Sequence, residues 1–114
     1  MFQNCTSLTT APQLPARTLK QTCYMSMFNG CSKLTTAPEL LAPTLAQGSY
    51  WYMFYHCTKL NSIKCLATNI SANNCTKEWV SGVAASGTFT KAASMTSWTT
   101  GTSGIPSGWT KVEQ

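Results

Sequence analysis

The chain lacks the groups that most enzymes use for acid, base and nucleophilic chemistry. Aspartate is absent, the only acids are Glu39, Glu78 and Glu113, and His56 is the single histidine. A catalytic histidine needs a nucleophile beside it and an acid that orients the imidazole. The glutamates lie far from His56 along the chain, so the sequence predicts a protein that is not an enzyme.

Metal, membrane and nucleic-acid motifs are also missing. No Cys-x-x-Cys or Cys-x-x-His pair occurs, so no metal or cofactor site is expected. No apolar run reaches the roughly 18 residues that a spanning helix needs. The net charge of +5 comes from few acids and from lysines spread along the chain, which argues against nucleic-acid binding. The N-terminus lacks an export pattern, and we expect such a signal upstream, in a longer array.

The main feature present is a repeat of 26 residues. The phrase MFQNCTSL at 1–8 returns as MFNGCSKL at 27–34 and as MFYHCTKL at 53–60, with no insertion between the copies. A fixed period of this size is typical of repeat proteins, whose units bury their apolar faces on one another. The predicted units are 1–26, 27–52, 53–78 and a partial fourth at 79–91.

Each unit is predicted to contain a short strand, a turn and a short helix. Apolar residues after each repeated Leu alternate with polar ones, but Pro12 and Pro38 cannot donate to a β-ladder, so those strands must be short or irregular. Pro15 and Pro43 then favour a turn. The predicted helix faces are spaced i, i+4, i+8. With this spacing they comprise Leu19, Cys23 and Met27 in unit one and Leu45, Ser49 and Met53 in unit two. In unit three Ser71 is expected to cap a helix whose apolar side includes Cys75, Trp79 and Val80.

The repeat ends before residue 92. Two further stretches, 94–98 and 108–112, each contain a tryptophan and flank a link rich in Gly and Pro. We expect them to be strands that form a C-terminal β cap over 92–114, because the open end of a repeat stack needs a cover.

The recurring Phe-x-x-Cys-x-x-Leu phrase, best seen in 27–34, resembles the BspA-like, or treponemal-type, leucine-rich repeats of bacterial surface proteins. The resemblance covers residues 1 to about 91. It implies an α/β leucine-rich-repeat solenoid outside a gut or oral bacterium, often within a larger adhesin-like chain, and it implies no catalytic residues.

The six cysteines are predicted to be free thiols. Cys5, Cys31 and Cys57 share one repeat position, and stacked units would pile them into a buried column. Disulfides within this column are the less favoured alternative. Cys23 and Cys75 share another position two units apart, roughly 10 Å, which exceeds the reach of a disulfide.

An aromatic run is the candidate binding surface. Phe54 occupies a repeated apolar position, whereas the rings of Tyr50, Trp51, Tyr52 and Tyr55 cannot all be buried beside it. Exposed Trp and Tyr clusters are favoured at binding surfaces. Packing between neighbouring units is the alternative, and the sequence does not decide between the two.

The sequence therefore predicts a non-enzymatic recognition or adhesion module that contacts host or neighbouring-cell proteins or glycans at the cell surface. The alternatives are a structural spacer within a larger surface protein and a receptor-binding segment of a phage tail. One further expectation concerns the start of the stack, where Phe2, Leu8 and Leu14 would form an exposed edge. Such an edge could pair end to end with a second copy.

Overall fold

Residues one repeat apart lie side by side in the structure, a computed structural model that describes residues 3–14, 17–96 and 98–114. Thr10 bridges Thr36, and Thr36 bridges Ser62, both in parallel register. The units therefore stack as layers. Divided so that each layer ends with one complete run of turns, they are layer 1 (3–31), layer 2 (32–57) and layer 3 (58–83). The predicted edge residue Phe2 and the predicted turn residue Pro15 lie outside the described residues.

The regular strands form one small parallel sheet. Its strands are β1 (Ser62–Cys65), β2 (Thr88–Lys91) and β3 (Thr110–Glu113), in the order β1-β2-β3. Ser62 pairs with Thr88 and Thr88 pairs with Thr110, so the sheet continues the line of bridges from layers 1 and 2. In those two layers Pro12 and Pro38 follow the bridging threonines, and a proline cannot supply the N–H that would extend a bridge into a ladder.

Each layer also contains a run of overlapping β-turns, at 20–31, 46–57 and 72–83, which we call the turn ribbon. In layer 2 the odd-numbered N–H groups donate three residues back, as Met53 does to the Tyr50 carbonyl at 3.0 Å. The even-numbered N–H groups donate to carbonyls of layer 3, as Phe54 does to Trp79 at 2.9 Å. Layer 1 is joined to layer 2 by the same alternation, for example from Phe28 to Met53. Half of the ribbon's hydrogen bonds therefore hold the layers together.

Every fourth residue of the ribbons has a left-handed backbone, with φ between 54° and 83°. These residues are Thr22, Ser26, Gly30, Gly48, Tyr52, His56, Asn74, Glu78 and Gly82. A positive φ at the third position of a turn is the mark of a type II turn. An α-helix cannot contain such residues at regular intervals, and it would keep the even-numbered N–H groups for its own i−4 carbonyls.

The predicted α/β leucine-rich-repeat solenoid with short helices is therefore wrong. The described ranges contain no α-helix and only the three-stranded parallel sheet, and they form a small compact body of 34 × 29 × 21 Å. The predicted two-stranded C-terminal β cap is also wrong. Strand β3 covers part of 108–112 and extends the sheet of β1 and β2, whereas 94–96 and Trp98 form no strand and Ser97 lies outside the described residues.

The core lies between the turn ribbons and the sheet. Burial along the ribbon alternates two residues in and two residues out, so that Ser49 and Tyr50 point inward, Trp51 and Tyr52 face outward, and Met53 and Phe54 point inward again. Rings then stack from layer to layer: Tyr50 lies between its equivalent Tyr24 and Trp79, which occupies the repeat position of Met53. Trp79 in turn stacks on Trp98, with ring planes 3° apart.

The C-terminal segment covers layer 3. The Trp79 indole N–H donates to the Gly104 carbonyl at 2.9 Å, and the Thr76 hydroxyl donates to the Ser103 carbonyl at 2.8 Å. Trp109 is buried on the other side of this cover and donates to the Ala84 carbonyl. Within the described ranges, no helix has the length and apolar character needed to cross a membrane.

Candidate binding surface

Tyr50 belongs to the core. Its side chain is 1% exposed, and burial raises the pKa of its phenol well above the usual value, with neighbouring Cys65 and Tyr24 adding to the shift. The phenol is therefore uncharged at physiological pH. Of the four aromatic residues that the sequence proposes as a surface, Tyr50 is the one that a partner cannot reach.

The other three rings are half-buried and lie in contact. The rings of Trp51 and Tyr52 are 5.5 Å apart between centroids and stacked, and Tyr52 meets the edge of Tyr55 at 5.3 Å. The exposed His56 ring stacks on Tyr55 at 3.9 Å. We call Trp51, Tyr52, Tyr55 and His56 the aromatic patch. The patch is continuous because the layer 2 ribbon turns outward at 51–52 and again four residues later, at 55–56.

The backbone under the patch is hydrogen-bonded to the next layer. Tyr52 and His56 both have left-handed φ angles, of 57° and 60°, and the ribbon fixes them through bonds to layer 3. Glycine lies at the equivalent position of the layers on both sides of His56, as Gly30 and Gly82. A Cβ atom at Gly82 would come 2.8 Å from His56 Cδ2, so the glycine leaves the space that the imidazole occupies.

Met25 and Lys77 border the patch. The Ser26 N–H donates to the Trp51 carbonyl, which places Met25 on the layer 1 side of Trp51. Met25 is 44% exposed and is one of the two large apolar side chains exposed among the described residues. On the layer 3 side, the Lys77 ammonium lies 5.7 Å from the Trp51 ring centroid, within cation–π range. The Trp51 indole N–H has no hydrogen-bond partner among the described residues.

Over the whole surface, basic side chains without an ion pair outnumber acidic ones. Lys64 pairs with Glu39 at 3.1 Å, and Lys91 pairs with Glu113 at 2.9 Å. Among the described residues, Glu78 is then the only carboxylate side chain without an ion pair. The basic side chains without such a pair are Arg17, Lys20, Lys33, Lys59, Lys77 and Lys111.

Cys5, Cys31 and Cys57 line up in one column as the repeat predicts, and none of the six cysteines forms a disulfide. Cys31 and Cys57 are fully buried, and Cys5 at the start of the column is half-buried. The Cys57 thiol donates to the Phe28 carbonyl at 3.0 Å. Burial, with the neighbouring Cys31 thiol as a smaller cause, raises the pKa of Cys57 to about 12.

The remaining cysteines are separate from this column. Cys65 at the end of β1 is fully buried, and its burial raises the thiol pKa to about 12. Cys75 is buried and donates to the Ile70 carbonyl at 3.3 Å. Cys23 is exposed, although its equivalents Ser49 and Cys75 are buried, because the outer side of layer 1 is incompletely covered. In the described ranges no three Cys, His or Glu side chains lie together in a way that could hold a metal ion.

The surface hollows offer little recognition chemistry. One of about 180 Å³ lies between layer 3 and its cover and is lined largely by small and apolar residues such as Val80, Val83 and Pro106. Another, of about 270 Å³, is bordered by Arg17, Leu19 and Pro43. Small-molecule sites combine an enclosed apolar cavity with several convergent polar groups. Neither hollow has that combination, so the aromatic patch is the stronger candidate.

No family model, curated protein or solved structure matches this chain. The resemblance to BspA-like surface proteins therefore stays a prediction made from the repeated phrase.

Proposed function

We propose that the protein is a non-enzymatic recognition module of a bacterial cell surface, and that its aromatic patch contacts a protein or glycan of a host or neighbouring cell. The observation that carries the proposal is the run of half-exposed rings from Trp51 through Tyr52 to Tyr55 on a backbone that is hydrogen-bonded to layer 3. Aromatic side chains lose little conformational entropy on binding, and they dominate the energetics of many interfaces. The cell-surface location rests on the resemblance of the repeat.

The surroundings of the patch fit a contact surface better than a catalytic site. The only histidine, His56, stacks on Tyr55 and has no carboxylate within ion-pair distance among the described residues. The neighbouring Cys57 points into the core and donates to a backbone carbonyl, so its thiol cannot act on a ligand at the patch. The exposed Met25 extends the apolar area onto layer 1.

The test is a binding screen of the purified protein against arrays of glycans and of extracellular matrix proteins. Any ligand found is then measured against the double variant Trp51→Ser, Tyr52→Asn. Asparagine is chosen because it tolerates the left-handed backbone at position 52. We expect a loss of affinity of about thirtyfold or more, since truncating an interface anchor costs about 2 kcal/mol or more.

The matched control is Lys59→Ser, an exposed residue outside the patch, and thermal unfolding verifies that each variant folds. Unchanged affinity of the double variant would remove the patch from the proposal. A protein that binds nothing on either array would instead support the structural spacer. Labelling of intact producing cells with a membrane-impermeant reagent tests the cell-surface location separately.

A further inference from the structure

The outer side of layer 1, which faces away from layer 2, is incompletely covered. Four apolar positions of layer 1 can be compared with their equivalents one repeat later. Cys5, Leu8, Ala11 and Leu19 are half-buried, whereas Cys31, Leu34, Ala37 and Leu45 are buried. The two sets have the same residue types and the same backbone setting. The layer 1 set is less buried because no further layer covers its outer side.

The backbone on this side has a definite polarity. In every ribbon the cross-layer N–H groups point to the following layer, and the accepting carbonyls point to the preceding one. The Ser49 and Trp51 carbonyls of layer 2 accept from Tyr24 and Ser26 of layer 1. Their layer 1 equivalents are the Cys23 and Met25 carbonyls, which have no donor among the described residues. The outer side of this ribbon thus presents acceptors without donors.

This polarity limits what can cover the surface. The edge of a β-strand presents both N–H and C=O groups, so it satisfies a row of acceptors only in part. Two copies meeting through this side would set carbonyl against carbonyl. The opposite end of a second copy is also unsuitable, because the layer 3 donors are occupied: Glu78 N–H donates to the Ser103 hydroxyl and Val80 N–H to the Thr102 carbonyl.

We propose that the outer side of layer 1 docks one 26-residue turn-ribbon unit of another polypeptide, with the N–H side of that unit facing Cys23 and Met25. Such a unit presents donors at alternate residues, with the spacing that layers 1 and 2 already show. Its repeated Cys and Leu positions would continue the columns that begin at Cys5 and Leu8. The contact is directional and uses a different surface from the aromatic patch, so it does not depend on the proposed function.

The first experiment joins a probe to the full chain. A copy of 27–52 is placed ahead of Met1 through a flexible Gly/Ser linker, which raises its effective concentration to the order of millimolar. The rate at which Cys5 is alkylated in the folded protein is then measured by peptide mapping. We expect the probe to slow alkylation about tenfold, because a docked unit limits access to local opening. A scrambled copy of the same composition should leave the rate unchanged.

The second experiment adds the probe in trans. A synthetic peptide of the 27–52 sequence is titrated, to millimolar concentration, into the unmodified protein while its amide resonances are recorded. We expect saturable shifts in layer 1. A peptide N-methylated at Tyr50 and Tyr52, the residues that would donate to the Cys23 and Met25 carbonyls, should give none.

Each outcome decides for or against the proposal. An unchanged Cys5 rate with the tethered copy, or equal protection by the scrambled copy, overturns it. Protection by the tethered copy without any effect of the free peptide overturns docking by a separate polypeptide. Light scattering that shows a concentration-dependent dimer of the unmodified protein would assign this surface to a second copy instead.

Discussion

The rings of Phe28 and Phe54 lie almost parallel, with their centroids 5.8 Å apart and their planes 4° apart. Both side chains are fully buried. They occupy the same position of successive layers, and the Phe28 N–H donates to the carbonyl of Met53, the residue before Phe54. Side-chain stacking and backbone hydrogen bonding thus reinforce the same register.

Replacing Phe54 by alanine should destabilise the protein by about 3–5 kcal/mol, because it removes a fully buried ring and leaves a cavity between layers. Urea unfolding followed by circular dichroism measures the change. Thr58→Ala, an exposed position four residues away, serves as the control and should change stability by less than about 0.5 kcal/mol. A cost below about 1 kcal/mol for Phe54→Ala would contradict the stacked core.

Gly82→Ala should be destabilising for two separable reasons. The φ of 83° is unfavourable for a residue with a side chain, and the added Cβ would come 2.8 Å from His56 Cδ2. Strain of this kind costs about 1–3 kcal/mol. In a double-mutant cycle with His56→Ala, removing the imidazole should recover the part caused by the contact and leave the part caused by φ. Strict additivity of the two substitutions would show that the contact contributes nothing.

The protein should lose stability in alkaline solution because of its buried thiols. Burial raises the pKa of Cys57 in the folded state to about 12, whereas an unperturbed thiol has a pKa of 9.0. The folded state therefore holds a proton that the unfolded state releases between these values. The contribution of Cys57 is complete below pH 9 and falls as pH rises towards 12, by about 1.4 kcal/mol per pH unit.

The measurement compares reduced wild-type protein with Cys57→Ala by urea unfolding between pH 8 and the highest pH at which both still fold. The difference in unfolding free energy between them should shrink as pH rises, since other titrating groups are common to both proteins. A difference that stays constant over the window would show that Cys57 titrates alike in the two states.

Thiol reactivity should divide the cysteines into two classes. At pH 8 a thiol reagent should modify the exposed Cys23 fastest and the half-buried Cys5 more slowly, while the four buried cysteines react only as the structure opens. Unfolding without reductant should then reveal all six thiols. Mass mapping identifies the modified residues. Fewer than six thiols after unfolding, or rapid native modification of Cys31, would contradict the thiol column.

The helical prediction failed for a physical reason that the ribbon makes clear. Two buried residues followed by two outward ones repeat every four positions, as from Tyr50 to Phe54. Over three repeats this period is hard to distinguish from the 3.6-residue period of a helix. The sequence contains a partial signal for the turns, because Gly30, Gly48, Gly82 and Asn74 fall on left-handed positions. Tyr52, His56 and Glu78 occupy the same kind of position and give no such signal.

The candidate surface was predictable only in part. The run from Tyr50 to Tyr55 contains more aromatic rings than one inward face can bury, so the sequence predicts that some of them are exposed. In the structure the half-exposed rings are those of Trp51, Tyr52 and Tyr55. Which ring turns inward depends on the two-in, two-out alternation. The place of His56 beside Tyr55 depends on Gly82, 26 residues further along the chain, a relationship visible only once the layers are aligned.

The sequence by itself determined the 26-residue period, and with it the side chains that occupy equivalent positions, because identical spacing lets identical residues meet. It also determined the positive charge, through the scarcity of acids. Only the tertiary structure decided how each backbone N–H is satisfied. Carbonyls of neighbouring layers accept hydrogen bonds from half of the ribbon's N–H groups. Because these N–H groups bond across layers, they are not available for the i−4 bonds of a helix. The chain therefore forms turns, although its local spacing favours a helix.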